Sequence, residues 1–256
     1  MMDVPDDGTG PAPRERALWA GAQVGLLGVL AATTGLGAAG WLAGLGYAGA
    51  SWLLLGRSMR RAGTRVPGPA DRVTAARMVL VGGVTASVAD QLGQAGQAGP
   101  ALPPLVLALT ATALALDLAD GRVARRTGTE SALGARFDME VDAFLILVLS
   151  GHVALSTGPW VLGIGGLRYA FVAASWALPW LRADLPPSVL RKAVAALQGI
   201  VLAVLASGLL PYPAVVAGFA LAALAFSFGR DCAWLWRRRR AAGSMTVCRA
   251  EGLPHA

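Results

Sequence analysis

The chain has 256 residues, 55% of them hydrophobic and 14% charged, with a formal net charge of +7. So few charges in so apolar a chain exclude an ordinary soluble domain and fit a protein that crosses a membrane several times. The basic balance does not point to nucleic acid, because the arginines fall in short segments between apolar runs, the pattern of cytoplasmic loops facing anionic lipid.

Taken in order, residues 1–16 are acidic and rich in Pro and Gly, with no basic stretch leading into a cleavage site, and read as a disordered cytoplasmic tail. Residues 17–56 carry no charge. As a single helix they would reach about 60 Å, twice the roughly 30 Å hydrocarbon core, so a transmembrane hairpin with a turn near Gly35–Gly40 fits better. Residues 57–73 hold Arg57, Arg60, Arg61, Arg65 and Arg72, are broken by Pro67 and Pro69, and read as a basic segment along the membrane surface. A six-helix core is expected over 74–236, with spans near 74–90, 101–119, 135–156, 159–181, 189–209 and 212–236. The basic tail 237–256 opens with Arg237–Arg240. Alternating these spans across the bilayer puts every Lys and Arg on one side except mid-span Arg168, which assigns both termini to the cytoplasm. The two cysteines, Cys232 and Cys248, have no ligand partners at metal-site spacing and no disulfide framework around them.

The chemistry concentrates between Asp117 and Asp142, where acids gather in a chain that otherwise keeps them rare. On helices, Asp117 and Asp120 are i,i+3 neighbours and Asp138 and Asp142 are i,i+4 neighbours, so each pair shares a face. Converging carboxylates repel one another unless something positive lies between them. Oxygen-only ligands suit hard cations, and two divalent ions would cancel four such charges. Gly121 and Ala124 leave room for a bulky ligand near the backbone, and Arg125 offers a fork suited to phosphate. Glu140 lies between Asp138 and Asp142 but points off their face. The pattern describes a metal-supported diphosphate site on the cytoplasmic side.

The spacing D-x2-D-G-x2-A-R-x8-G-x3-D-x3-D, completed by Gly134, resembles the signature of the class I CDP-alcohol phosphatidyltransferases at every specified position. The resemblance implies an all-α integral membrane protein of the plasma or inner membrane. Its fold would be a six-helix CDP-alcohol phosphotransferase-like bundle, here preceded by the two-helix hairpin. It implies transfer of a phosphatidyl group from CDP-diacylglycerol to a polyol or polyol-phosphate acceptor, with release of CMP, and a homodimer in the bilayer. Two Mg²⁺ or Mn²⁺ ions would be held by Asp117, Asp120, Asp138 and Asp142, with Asp142 also the general base. Gly121, Ala124 and Arg125 would line the CDP-diphosphate pocket, while Gly134 lets the motif helices approach.

Other positions are carried by weaker likeness. Asp71-Arg-Val-Thr74-Ala-Ala-Arg77 is similar to the N-x-x-T-x-x-R stretch before the family's first core helix, with Asp71 in place of Asn, so Thr74 and Arg77 are candidate nucleotide contacts. A helix-starting Thr74 and a snorkelling Arg77 account for the same residues. By resemblance Arg168 is an acceptor-site candidate, its alternative being a structural partner for a motif carboxylate. Arg191, Lys192 and Gln198 are faintly similar to the G-K-x-K-T-x-x-Q stretch of the branch that uses glycerol 3-phosphate, the best-fitting acceptor. Ordinary cytoplasmic charge and an interfacial Gln explain them as well. Inositol phosphate and phosphatidylglycerol are the rival acceptors, and a soluble CDP-alcohol acting on diacylglycerol is the rival donor. Outside the family, a Mg²⁺-dependent membrane prenyltransferase needs a second Asp-rich motif, whereas only Asp184 and Asp231 follow Asp142. A cation carrier leaves Gly121, Ala124, Arg125 and Gly134 without a role.

Overall fold

The computed structural model describes residues 13–62, 69–94, 101–127, 132–183, 185–186 and 188–251. Side chains are described within these ranges except at 13–16, 55, 58–62, 69–71, 118–127, 132–137 and 241–251. Among the described residues there is no strand. The helices are α1 (Pro13–Thr34), α2 (Ala38–Ala62), α3 (Pro69–Gly93), α4 (Pro104–Thr127), α5 (Ala132–Thr157), α6 (Leu162–Ala177), α7 (Val189–Ala206) and α8 (Pro213–Glu251). Short 3-10 turns, Pro159–Val161 and Pro179–Arg182, flank α6. Proline opens α1, α3, α4 and α8, where its missing N–H would have had no partner anyway and its fixed φ already suits the helix. Ser188 caps α7 by accepting a hydrogen bond from the Arg191 backbone N–H at 3.4 Å.

Among the described residues, five helices carry segments long and apolar enough to cross a membrane: Ala17–Thr34, Arg72–Gly93, Asp138–Thr157, Val189–Ala206 and Pro213–Arg240. The protein is thus membrane-embedded and all-helical, with a hairpin, α1 and α2, ahead of the six helices α3–α8. Gly35 makes the hairpin turn possible by taking φ +73°, a left-handed conformation that ends α1 at no Cβ cost. The Gly37 N–H then donates to Asp90 Oδ1 at 2.9 Å, tying the turn to the far end of α3.

Two helices organise the bundle. α3 packs against α1, α2, α4 and α5, and α5 packs against α3, α6 and α7. Residues 81–88 of α3 are buried on every face, as befits a helix surrounded by others. On α5 the buried positions Val141, Leu145, Leu149 and Val153 recur every fourth residue and point into the core. α6 lies so close to α5 that a Cβ at Gly165 would come within 2.9 Å of the Leu147 backbone nitrogen. Backbone cannot swing aside as a side chain can, so Gly165→Ala is expected to cost about 1–3 kcal/mol. A lowered melting temperature in detergent would register that loss, and an unchanged one would mean that α6 slides freely on α5.

Two local expectations change. The arginines after Asp120 do not form a loop: the α4 backbone stays helical to Thr127, because Ala, Leu and Arg favour helix and one interior Gly costs only about 1 kcal/mol. The basic stretch 57–73 is not a separate element in its described part, since α2 continues to Ala62 and α3 already begins at Pro69.

Candidate active site

The first turns of α3 bring Arg77 into the bundle, the end of α4's apolar stretch brings Asp117, and α5 brings Asp138 and Asp142 one turn apart on one face. Asp117, Asp138 and Asp142 each contribute a carboxylate oxygen to a group whose members lie within 4.8 Å of one another. The Arg77 guanidinium stands among them. Its Nη2 is 3.2 Å from Asp117 Oδ1 and also donates to Asp142, while Nη1 donates to Asp138. Arg77 is 1% exposed, whereas the three aspartates are 29%, 29% and 32% exposed. The cation therefore lies beneath carboxylates that solvent can still reach. A planar fork can serve several carboxylate oxygens at once, and a buried guanidinium without such partners would be severely destabilising.

This burial excludes a snorkelling Arg77, which would carry its charge out to the interface. Thr74 lies one turn earlier on the same helix and is half-buried. Asp120, Gly121, Ala124 and Arg125 belong to the helical backbone of α4, and Gly134 to that of α5, but their side-chain positions lie outside the described residues.

Glu140 turns away from the aspartates and pairs with Arg168 Nη2 on α6, whose Nη1 lies 3.1 Å from Met139 Sδ. Arg168 is thus anchored to Met139 and Glu140, which lie between Asp138 and Asp142 in sequence but off their shared face. Arg191 is held elsewhere: Nη1 meets Asp231 Oδ2 at 3.2 Å and Nη2 donates to the Pro186 carbonyl at 2.7 Å. Lys192 is exposed. Gln198 is not interfacial, for it is buried and donates from Nε2 to the Ala220 carbonyl at 2.9 Å, joining α7 to α8.

Sequence reasoning overlooks Tyr47 on α2 and Tyr169 on α6. The Tyr47 ring stacks on Phe144, two residues beyond Asp142, with centroids 5.0 Å apart. Its hydroxyl lies within electrostatic reach of Arg77, Asp142 and Tyr169. The available signal was scarcity, because the chain has only three tyrosines and Tyr47 interrupts an otherwise Gly, Ala and Leu stretch.

Chemically, the described residues form an all-oxygen, part-exposed anionic cluster with the buried Arg77 cation beneath it. Its donor set fits a hard divalent cation, whose ligands are carboxylates rather than thiolates or imidazoles. A family model described as CDP-alcohol phosphatidyltransferase matches residues 69–229, well over half of the chain. No curated protein and no solved structure matches it.

Proposed function

Because the chain belongs to the CDP-alcohol phosphatidyltransferase family, we propose that it transfers the phosphatidyl group of CDP-diacylglycerol to a polyol acceptor and releases CMP. The observation that carries this reading is the convergence of Asp117, Asp138 and Asp142 from two helices onto one point at the start of the α5 span. Asp120, one turn beyond Asp117, completes the set of carboxylates that would hold two Mg²⁺ or Mn²⁺ ions. Bound there, such ions would neutralise the diphosphate and stabilise the departing CMP oxygen.

The protein's own groups do the rest. Asp142 accepts the proton of the acceptor hydroxyl as that oxygen bonds to the phosphorus and the bond to CMP breaks. Gly121 and Ala124, both small, leave space for the nucleotide diphosphate, and Arg125 pairs with its charge. Thr74 lines the same pocket from α3. Arg168 is the strongest acceptor candidate, being tied through Glu140 to the helix that carries Asp138 and Asp142. Arg191 and Lys192 are weaker ones, since Arg191 is engaged by Asp231 and Lys192 faces outward. A cationic contact favours a phosphorylated acceptor, and glycerol 3-phosphate is the one we propose.

The arrangement of charge supports a cytoplasmic site. Arg237–Arg240 close the last apolar segment, and Arg238, Arg239 and Arg240 lie 5.1 to 6.0 Å from the rings of Trp180, Trp234 and Trp236. Such a belt of arginine and tryptophan suits the cytoplasmic interface. The α3–α8 bundle would carry the reacting groups, and the protein would work as a homodimer. The test is CMP release by purified protein with CDP-diacylglycerol, Mg²⁺ or Mn²⁺, and acceptors supplied singly. Release with glycerol 3-phosphate alone is expected, whereas release only with inositol phosphate or phosphatidylglycerol would overturn the acceptor, and none with any acceptor would overturn the reading.

A further inference from the structure

The family match begins at Pro69, so the hairpin α1–α2 lies outside it, yet the hairpin packs on α5, the helix that carries Asp138 and Asp142. We propose that Tyr47 is a positioning residue of the active site and that the hairpin is thereby part of the catalytic unit rather than a packing appendage; this rests on the reading of Asp117, Asp138 and Asp142 as the reacting centre.

Three observations carry it. The Tyr47 ring stacks nearly parallel on Phe144, with an interplanar angle of 21° and centroids 5.0 Å apart, so α2 bears on the helix that presents Asp138 and Asp142. The Tyr47 hydroxyl is buried without a hydrogen-bond partner among the described residues and lies within electrostatic reach of Arg77 and Asp142. Finally, the hairpin is seated firmly enough to hold such a group in place. Gln23, 3% exposed, packs against Gly82 of α3 so closely that a Cβ there would fall 2.6 Å from its amide nitrogen. At the turn, Asp90 accepts from the Gly37 N–H. Each contact joins the hairpin to α3 or α5, the two helices that carry Arg77, Asp138 and Asp142.

Physically, a phenol suits this position. Its ring supplies apolar packing against Phe144, and its buried hydroxyl, which holds no hydrogen bond among the described residues, has one to offer to the charged groups within its reach. With that group fixed, the Asp142 carboxylate and the Arg77 fork are restricted to fewer orientations, and reactions depend steeply on such alignment.

The experiment compares wild type, Tyr47→Phe, Asp142→Asn and Leu27→Ala in the CMP-release assay, together with melting temperatures and Mn²⁺ binding. Tyr47→Phe keeps the ring and loses only the hydroxyl. It is expected to lower kcat about tenfold while KM stays within about twofold, with melting temperature and Mn²⁺ affinity at wild-type values. Leu27→Ala, a buried change on α1 where the side chain packs at Gly44 of α2, is expected to lower the melting temperature without that selective loss of kcat. Wild-type kinetics in Tyr47→Phe would overturn the inference, as would an equal loss of kcat in Leu27→Ala. No turnover by wild type would instead overturn the proposed function, and loss in Asp142→Asn alone would leave that function standing without Tyr47.

Discussion

Asp142→Asn is expected to reduce CMP release by about a thousandfold or more while the protein still inserts and binds its lipid donor. The substitution keeps the size and shape of the side chain but removes its negative charge and its ability to take a proton. On the proposed mechanism both losses fall on the same step. The acceptor hydroxyl is no longer deprotonated as it attacks, and one of the carboxylates that would hold the ions is gone. Asp138→Asn should be nearly as damaging, through ion binding alone. The two variants can be told apart by raising Mn²⁺: a partial recovery is expected for Asp138→Asn and little for Asp142→Asn, because added ion cannot replace a base. Turnover near the wild-type rate by Asp142→Asn, in protein shown to be folded, would sink the assigned role.

Helix order and the shared face of Asp138 and Asp142 were legible in the sequence because both depend on local pattern. A charge-free run too long for one crossing, split at a glycine, is a hairpin almost by arithmetic, and α1 and α2 meet at Gly35. The i,i+4 spacing puts Asp138 and Asp142 on one helical face, and it puts Glu140 off that face, where Arg168 meets it. What was not legible depends on which helix lies beside which. Nothing within α3 says that Arg77 meets carboxylates from α4 and α5 and not the interface, since both fates begin with an arginine near a helix start. Gln198 resembles an interfacial residue until α8 is placed against α7 and supplies the Ala220 carbonyl. Tyr47 acquires meaning only when α2 lies against α5. In each case the deciding partner is distant in sequence.

Arg77→Gln is expected to destabilise the ion-free protein by about 3 kcal/mol, the low end of what breaking a buried ion pair costs. The low end applies because the aspartates are roughly a third exposed and water screens part of their repulsion. Removing the guanidinium takes away the positive charge that Asp117, Asp138 and Asp142 share. A divalent ion supplies the missing charge, so Mg²⁺ or Mn²⁺ should raise the melting temperature of Arg77→Gln well above its value in chelator. In wild type the same ion has to compete with a cation already seated on those carboxylates, and the stabilisation it brings should be smaller. Arg77→Lys should fall between the two, since an ammonium keeps the charge but cannot present two parallel donors. Thermal melts of the three proteins in chelator and in Mn²⁺ decide the matter. Equal stabilisation by Mn²⁺ in wild type and Arg77→Gln would mean that ion and guanidinium do not share these oxygens. A wild-type melt for Arg77→Gln in chelator would mean that the buried pairing adds nothing to the fold. The expected pattern would give Arg77 a specific place in the reaction cycle: it holds the acidic cluster together between turnovers and yields the carboxylates when the metal-loaded donor arrives, leaving its fork free for the donor's diphosphate.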